Sequence, residues 1–212
     1  MRLTQGLLLV LALCVAPVAA GAQVLVNNGP INGTTDAWTI NFGFVVSDSF
    51  SIGFASTTTA LAFGAWVTPG DTLESAEVSI TSSEFGGTTY FDNVVTFTQN
   101  GCSGNQYGFN VCTETSSFLG LINLAAGSYW LNLQNATTAE GNPIYWDENS
   151  GPSSASENAV GTIPSEAFTL WAGETTTTTT TTTTGTTPEP STIMLLGSGV
   201  LALAGVLRRK LF

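Results

Sequence analysis

Tyr129-Trp130-Leu131-Asn132-Leu133 places a large apolar side chain at 129, 131 and 133, every second position. A period of two belongs to an extended strand with one face on a core, because successive side chains leave a strand on opposite sides. The same alternation recurs in Trp38-Thr39-Ile40-Asn41-Phe42-Gly43-Phe44, in Phe50-Ser51-Ile52-Gly53-Phe54 and in Ala76-Glu77-Val78-Ser79-Ile80. Further strands are expected over 60–67, 88–98, 107–112, 118–122 and 167–171. Turn chemistry separates them. Pro69-Gly70-Asp71 suits a type II turn, and Gly86-Gly87 and Ala126-Gly127 mark two more. No helical period occurs outside the two ends, so the expectation is all-β: some nine strands in an antiparallel, jelly-roll-like β-sandwich.

The ends read differently. Arg2 precedes a nine-residue apolar run, 7–15, too short for a bilayer of ~30 Å hydrocarbon. Ala20-Gly21-Ala22 then offers the small-x-small site of a signal peptidase, which makes 1–22 a signal peptide with a helical apolar core. At the far end, 192–207 is sixteen uncharged residues followed at once by Arg208, Arg209 and Lys210. That span is slightly short of the ~20 residues of a transmembrane helix, and snorkelling basic side chains make up the difference. The basic tail orients it with the body outside the cell. Between body and span, Thr175 opens a run of ten threonines reaching Thr184. Nothing in it can be buried, so 173–187 reads as a linker, with hydroxyls open to glycosylation.

All four basic residues lie in those ends: Gln23 to Thr187 holds no Lys, Arg or His, against fourteen carboxylates. A body of 23–172 with that balance repels phosphate, which sets nucleic-acid binding aside. Without histidine there is no Ser-His or Cys-His nucleophile pair and no imidazole metal site. Only carboxylate chemistry and oxygen-ligand metals remain. Cys102 and Cys112 are expected to pair as a disulfide in an exported protein, closing a short loop that contributes about 2–3 kcal/mol.

The densest polar and aromatic stretch runs from Ile144-Tyr145-Trp146-Asp147-Glu148-Asn149 to Gly151. Asp147, Asn149 and Glu157 offer oxygens at a spacing partly like a Ca²⁺ loop, and the same residues suit an Asx-type turn ending a strand. Tyr145 and Trp146 are the platform on which a carbohydrate-binding module would seat a sugar ring; Trp146 serves equally as core. Trp38, Trp66 and Trp130 are expected in the core. Glu84, Asp92, Asp147 and Glu148 are the carboxylates from which a glycoside hydrolase would draw its pair, held ~5–9.5 Å apart. No spacing singles out such a pair, so the expectation is a non-enzyme without a cofactor, Ca²⁺ being the one cation worth testing.

Pro188-Glu189-Pro190-Ser191, the apolar span and the basic tail together resemble the PEP-CTERM sorting signal of Gram-negative bacteria, over 188–212. The resemblance implies recognition and cleavage by a membrane-embedded exosortase, with the inner membrane as an intermediate stop. It further implies display at the cell surface or in the extracellular matrix, in association with exopolysaccharide or biofilm. Through Gly127-Ser128-Tyr129-Trp130-Leu131-Asn132-Leu133 and the stretch 145–155 the body is also similar to β-domains that accompany such tails, which implies no particular activity.

Overall fold

The computed structural model describes residues 23–173, and among them every regular element is a strand. In chain order these are β1 (Gln23–Asn27), β2 (Ala37–Thr39), β3 (Val45–Ile52), β4 (Ser56–Val67), β5 (Leu73–Ser83), β6 (Gly86–Thr96) and β7 (Thr98–Gly104). They continue as β8 (Asn110–Leu124), β9 (Gly127–Thr138), β10 (Ile144–Asn149), β11 (Ala155–Glu157), β12 (Gly161–Ile163), β13 (Ser165–Glu166) and β14 (Phe168–Ala172). The strands form two antiparallel sheets. The larger follows β1-β14-β4-β10-β13, with β8 also on β4, β7 on β8, and β2 on β10. The smaller follows β12-β11-β3-β9-β5-β6.

The alternating stretches make the smaller sheet's inner face. Ile80 lies opposite Leu131 and Val78 opposite Leu133, while Phe50 lies opposite Tyr129. Leu61, Phe63, Ala65 and Leu170 supply the facing wall from the larger sheet, and the two walls share one buried cluster. The Phe50 ring meets that of Phe168 edge-on at 6.1 Å across the gap. Each such side chain removed from water contributes about 1.5–3 kcal/mol, the main return against the entropy of ordering the strands. At Pro69-Gly70 the expected turn forms: Asp71 N–H donates to Thr68 O at 2.9 Å, and Gly70 takes φ +91°. Cys102 on β7 and Cys112 on β8 are joined by a disulfide.

Several expectations need correcting. The alternation over 38–44 does not stay extended: β2 stops at Thr39, and Phe42 turns to φ +56° with its side chain 65% exposed. Of 107–112 only 110–112 is strand, and it runs on through 118–122 as one strand, β8, which is held along β4 from Val67 to Ser56. The hairpin turn expected at Gly86-Gly87 falls at Glu84-Phe85, with Phe85 at φ +56°. Trp130 is only half-buried, and Trp38, though it packs against the core, is half-buried too. Trp66 is buried, but on the other side of β4 from the shared core, where Tyr107 stacks on it at 5.2 Å. Period two separates two faces without saying which of them is sealed, and a loop can seal the outer one. The signal peptide (1–22), most of the threonine linker, the helix at 192–207 and the basic tail lie outside the described residues.

Candidate functional site

β10 sends Tyr145, Asp147 and Asn149 to one face and Trp146 and Glu148 to the other. Trp146 is fully buried, its Nε1 donating to Ala167 O at 2.9 Å, with the rings of Phe63 and Phe168 edge-on at 6.0 and 5.8 Å. Tyr145 is half-buried on the opposite face, against Phe109 at 5.3 Å. The two aromatics therefore present no shared platform to a sugar ring. Adjacent strand positions cannot do so without a bulge.

Asp147 is also enclosed. Its carboxylate accepts from Trp66 Nε1 at 2.6 Å, from Asn32 N–H at 2.8 Å and from Gly33 N–H at 2.9 Å. Gly33 is required there: its φ is +63°, and a Cβ would lie 2.3 Å from Val111 Cγ2. Burial raises the Asp147 pKa, and the three donors work against that rise. Asn149 makes the Asx turn, its Oδ1 accepting from Gly151 N–H at 2.7 Å while its Nδ2 donates to Asn28 O at 2.9 Å. Glu157 lies on β11 of the smaller sheet, where Oε2 accepts from Ala159 and Val160 N–H. So the three expected Ca²⁺ ligands do not gather around one point. Among the described residues no group of three or more His, Cys, Asp or Glu side chains could hold a metal ion.

The carboxylates weighed for hydrolysis are likewise dispersed. Asp147 and Glu148 point to opposite faces of one strand, and Glu148 Oε2 accepts from Trp38 Nε1 at 2.8 Å. Glu84 accepts from Ser156 Oγ of β11 at 2.9 Å, whereas Asp92 sits opposite Ser79 on β6. The strand order puts β11 and β6 four strand spacings apart, about 19 Å at ~4.8 Å each, well beyond the reach of a paired acid and base.

Other acids turned inward were not anticipated. Asp48 alternates with Val46, Phe50 and Ile52 on the inner face of β3 and is fully buried. Its Oδ2 accepts from Asn28 Nδ2 at 2.8 Å and from Glu166 N–H at 2.7 Å, and desolvation pushes its pKa up to about 6 against those bonds. Glu166, equally buried, has neither carboxyl oxygen hydrogen-bonded. Burial first, then repulsion from Asp48, Glu148, Asp147 and Asp36, raises its pKa well above the ordinary value. Glu114 stands opposite Phe63 on one flank and Gln99 on the other, without a partner for either oxygen, and desolvation pushes it up to about 8. Strand parity could have exposed Asp48, since position 48 falls on the apolar side of its alternation. Glu114 and Glu166 carry no comparable signal.

Outside the described body, residues 186–210 match the PEP-CTERM protein-sorting motif, which covers Pro188, Glu189, Pro190 and the basic residues Arg208, Arg209 and Lys210. The motif implies processing by an exosortase and an exported protein sorted to the cell surface. None of the curated proteins matches the chain.

Proposed function

We propose that this chain is a non-enzymatic surface or extracellular-matrix protein: a jelly-roll-like β-sandwich carried out on a threonine linker, released from an inner-membrane intermediate and retained among exopolysaccharide. The sorting motif at 186–210 carries this reading. It is supported by the body upstream, which between Gln23 and Thr187 has no cation and fourteen carboxylates, a composition suited to staying soluble outside the cell. The non-enzymatic part draws on the carboxylates just described: Asp147 is enclosed by donors, Asp48 and Glu166 are sealed together in the interior, and Glu84 and Asp92 lie far apart, where a hydrolase needs two across an open cleft.

The test is localisation. In a host with an exosortase, the full chain is expected in the surface and matrix fraction, shortened at its C-terminus. Replacing Pro188, Glu189 and Pro190 by alanine is expected to leave it full-length in the inner membrane. An unchanged distribution of that variant would overturn the reading.

A further inference from the structure

The smaller sheet has an outer face that is polar and yet partly buried. Across its middle, Ser156, Ser47, Asn132, Ser79 and Asp92 stand opposite one another on β11, β3, β9, β5 and β6. Ser47, Asn132 and Ser156 are buried although they point away from the shared core. The turn between β5 and β6 bends over them. Phe85 N–H donates to Asn132 Oδ1 at 3.2 Å, and Ser156 Oγ donates to Glu84 Oε2 at 2.9 Å, so two residues of one turn reach β9 and β11. Register shifts in the β5–β6 pairing at Thr81 give the hairpin the bend it needs. Beside this arch lies a cavity of about 290 Å³ lined by Val45, Ser79, Phe85, Asn132, Gln134 and Asn158.

We propose that this cavity binds a neutral saccharide unit. Its floor retains hydrogen-bonding capacity in the form a vicinal diol uses. Ser79 Oγ accepts from Asn132 Nδ2 at 3.1 Å and keeps its own proton to donate, and Gln134, whose Nε2 donates to Glu77 at 2.7 Å, brings an amide oxygen to the same lining. The Phe85 ring, 40% exposed, forms a wall against which the C–H face of a sugar can pack. Phe85 reaches that place at φ +56°, a conformation that is strained for a bulky side chain and that glycine would adopt freely. At the small end of the ~300–1,000 Å³ range of ligand pockets, the cavity takes a chain end or a single ring rather than an extended polymer. The charge of the ligand follows from its surroundings. Glu77 adjoins the floor and the body holds no cation, so a uronate, sulfate or phosphate group would find repulsion and no counter-charge.

The site belongs to the body and stands or falls apart from the route of export. The full chain, held in a detergent without a sugar headgroup, is titrated by calorimetry with oligomers of glucose, galactose, mannose and N-acetylglucosamine, and with polygalacturonate. At least one neutral oligomer is expected to saturate and polygalacturonate to stay silent. Phe85→Gly is expected to weaken that binding at least tenfold while its melting temperature holds or rises, because the turn strain is relieved. Gln134→Ala is expected to weaken it at least fivefold at unchanged melting temperature. Failure of every neutral oligomer, equal or tighter binding of polygalacturonate, or full affinity in both folded variants would each overturn the proposal.

Discussion

Two buried carboxyls on the larger sheet have opposite surroundings. Asp147 on β10 is met by an indole and two backbone N–H groups that a glycine brings within reach. Glu114 on β8 lies between Phe63 of β4 and Gln99 of β7, and neither of its carboxyl oxygens accepts a hydrogen bond. Burial raises both pKa values, but only at Asp147 do hydrogen bonds oppose the rise, while Glu114 goes to about 8. The same loss of water thus makes one acid a structural clasp and holds the other toward its neutral form.

Asp147→Ala should cost the most stability. It strands three donors, for which ~1–3 kcal/mol each sums to about 3–9 kcal/mol; because the Asn32 N–H is only part-buried, the loss should fall in the lower half, about 3–5 kcal/mol. For a body of this size that lowers the melting temperature by about 10 °C. A change under about 2 °C would show that the clasp carries no weight.

Glu114→Leu should act in the opposite direction, stabilising by about 1–2 kcal/mol, because it removes an unpartnered polar group at little cost in volume. The sign depends on pH. Folded Glu114 keeps a proton that the unfolded chain releases near its ordinary value of 4.5, so its contribution is intact below that value. The contribution is lost as pH rises toward about 8, and Asp48, ordinarily near 3.8, behaves likewise up to about 6. Asp71 is the counterweight on the acid side. Desolvation pulls it upward, but the N–H groups of Glu140 and Thr72 and the Asn142 amide outweigh this and hold it below its ordinary value. Its contribution is therefore lost as pH falls through that lowered value. Thermal melts should peak in mild acid and decline toward pH 8, and Glu114→Leu should flatten the upper part of that decline. A profile that rises to pH 8, or no difference between the two proteins, would remove the argument.

The smallest change is expected from Trp66→Phe, about 1 kcal/mol. It takes one of three donors from Asp147 and keeps most of the apolar contact with Tyr107 and Phe109. Its useful readout is the Asp147 titration followed by NMR, which should move further upward. An unmoved titration would mean that the backbone donors suffice.

Much of the fold was legible. The alternations at 76–80 and 129–133 lie side by side in the smaller sheet, and the Pro69-Gly70 turn forms where its residues demand it. What escaped reading depends on which outer faces are covered. Trp66 is buried because the segment carrying Tyr107 and Phe109 folds over β4, and Trp146 is buried because β14 brings Phe168 beside it. Neither event leaves a mark on the residues around the tryptophan. The candidate site was less legible. Asp147-x-Asn149 has the spacing of a cation loop, and that spacing is spent on an Asx turn and on the closure of the 31–33 loop. The polar row under Phe85 draws on five strands, so no single stretch of sequence announces it.

One consequence of the topology is mechanical. β14 lies between β1 and β4, with Gln23 opposite Ala172 and Thr58 on its other flank, and Gly173 N–H is still bonded to Thr57 O at 2.8 Å. Tension applied along the chain beyond Gly173 enters β14 lengthwise, and both flanking ladders then resist in shear, with many bonds loaded together. Peeling from the end would break them one at a time. Whatever drags on the body would thus pull against a strand clamped on both flanks, and survival under load is set by the rate of that concerted rupture.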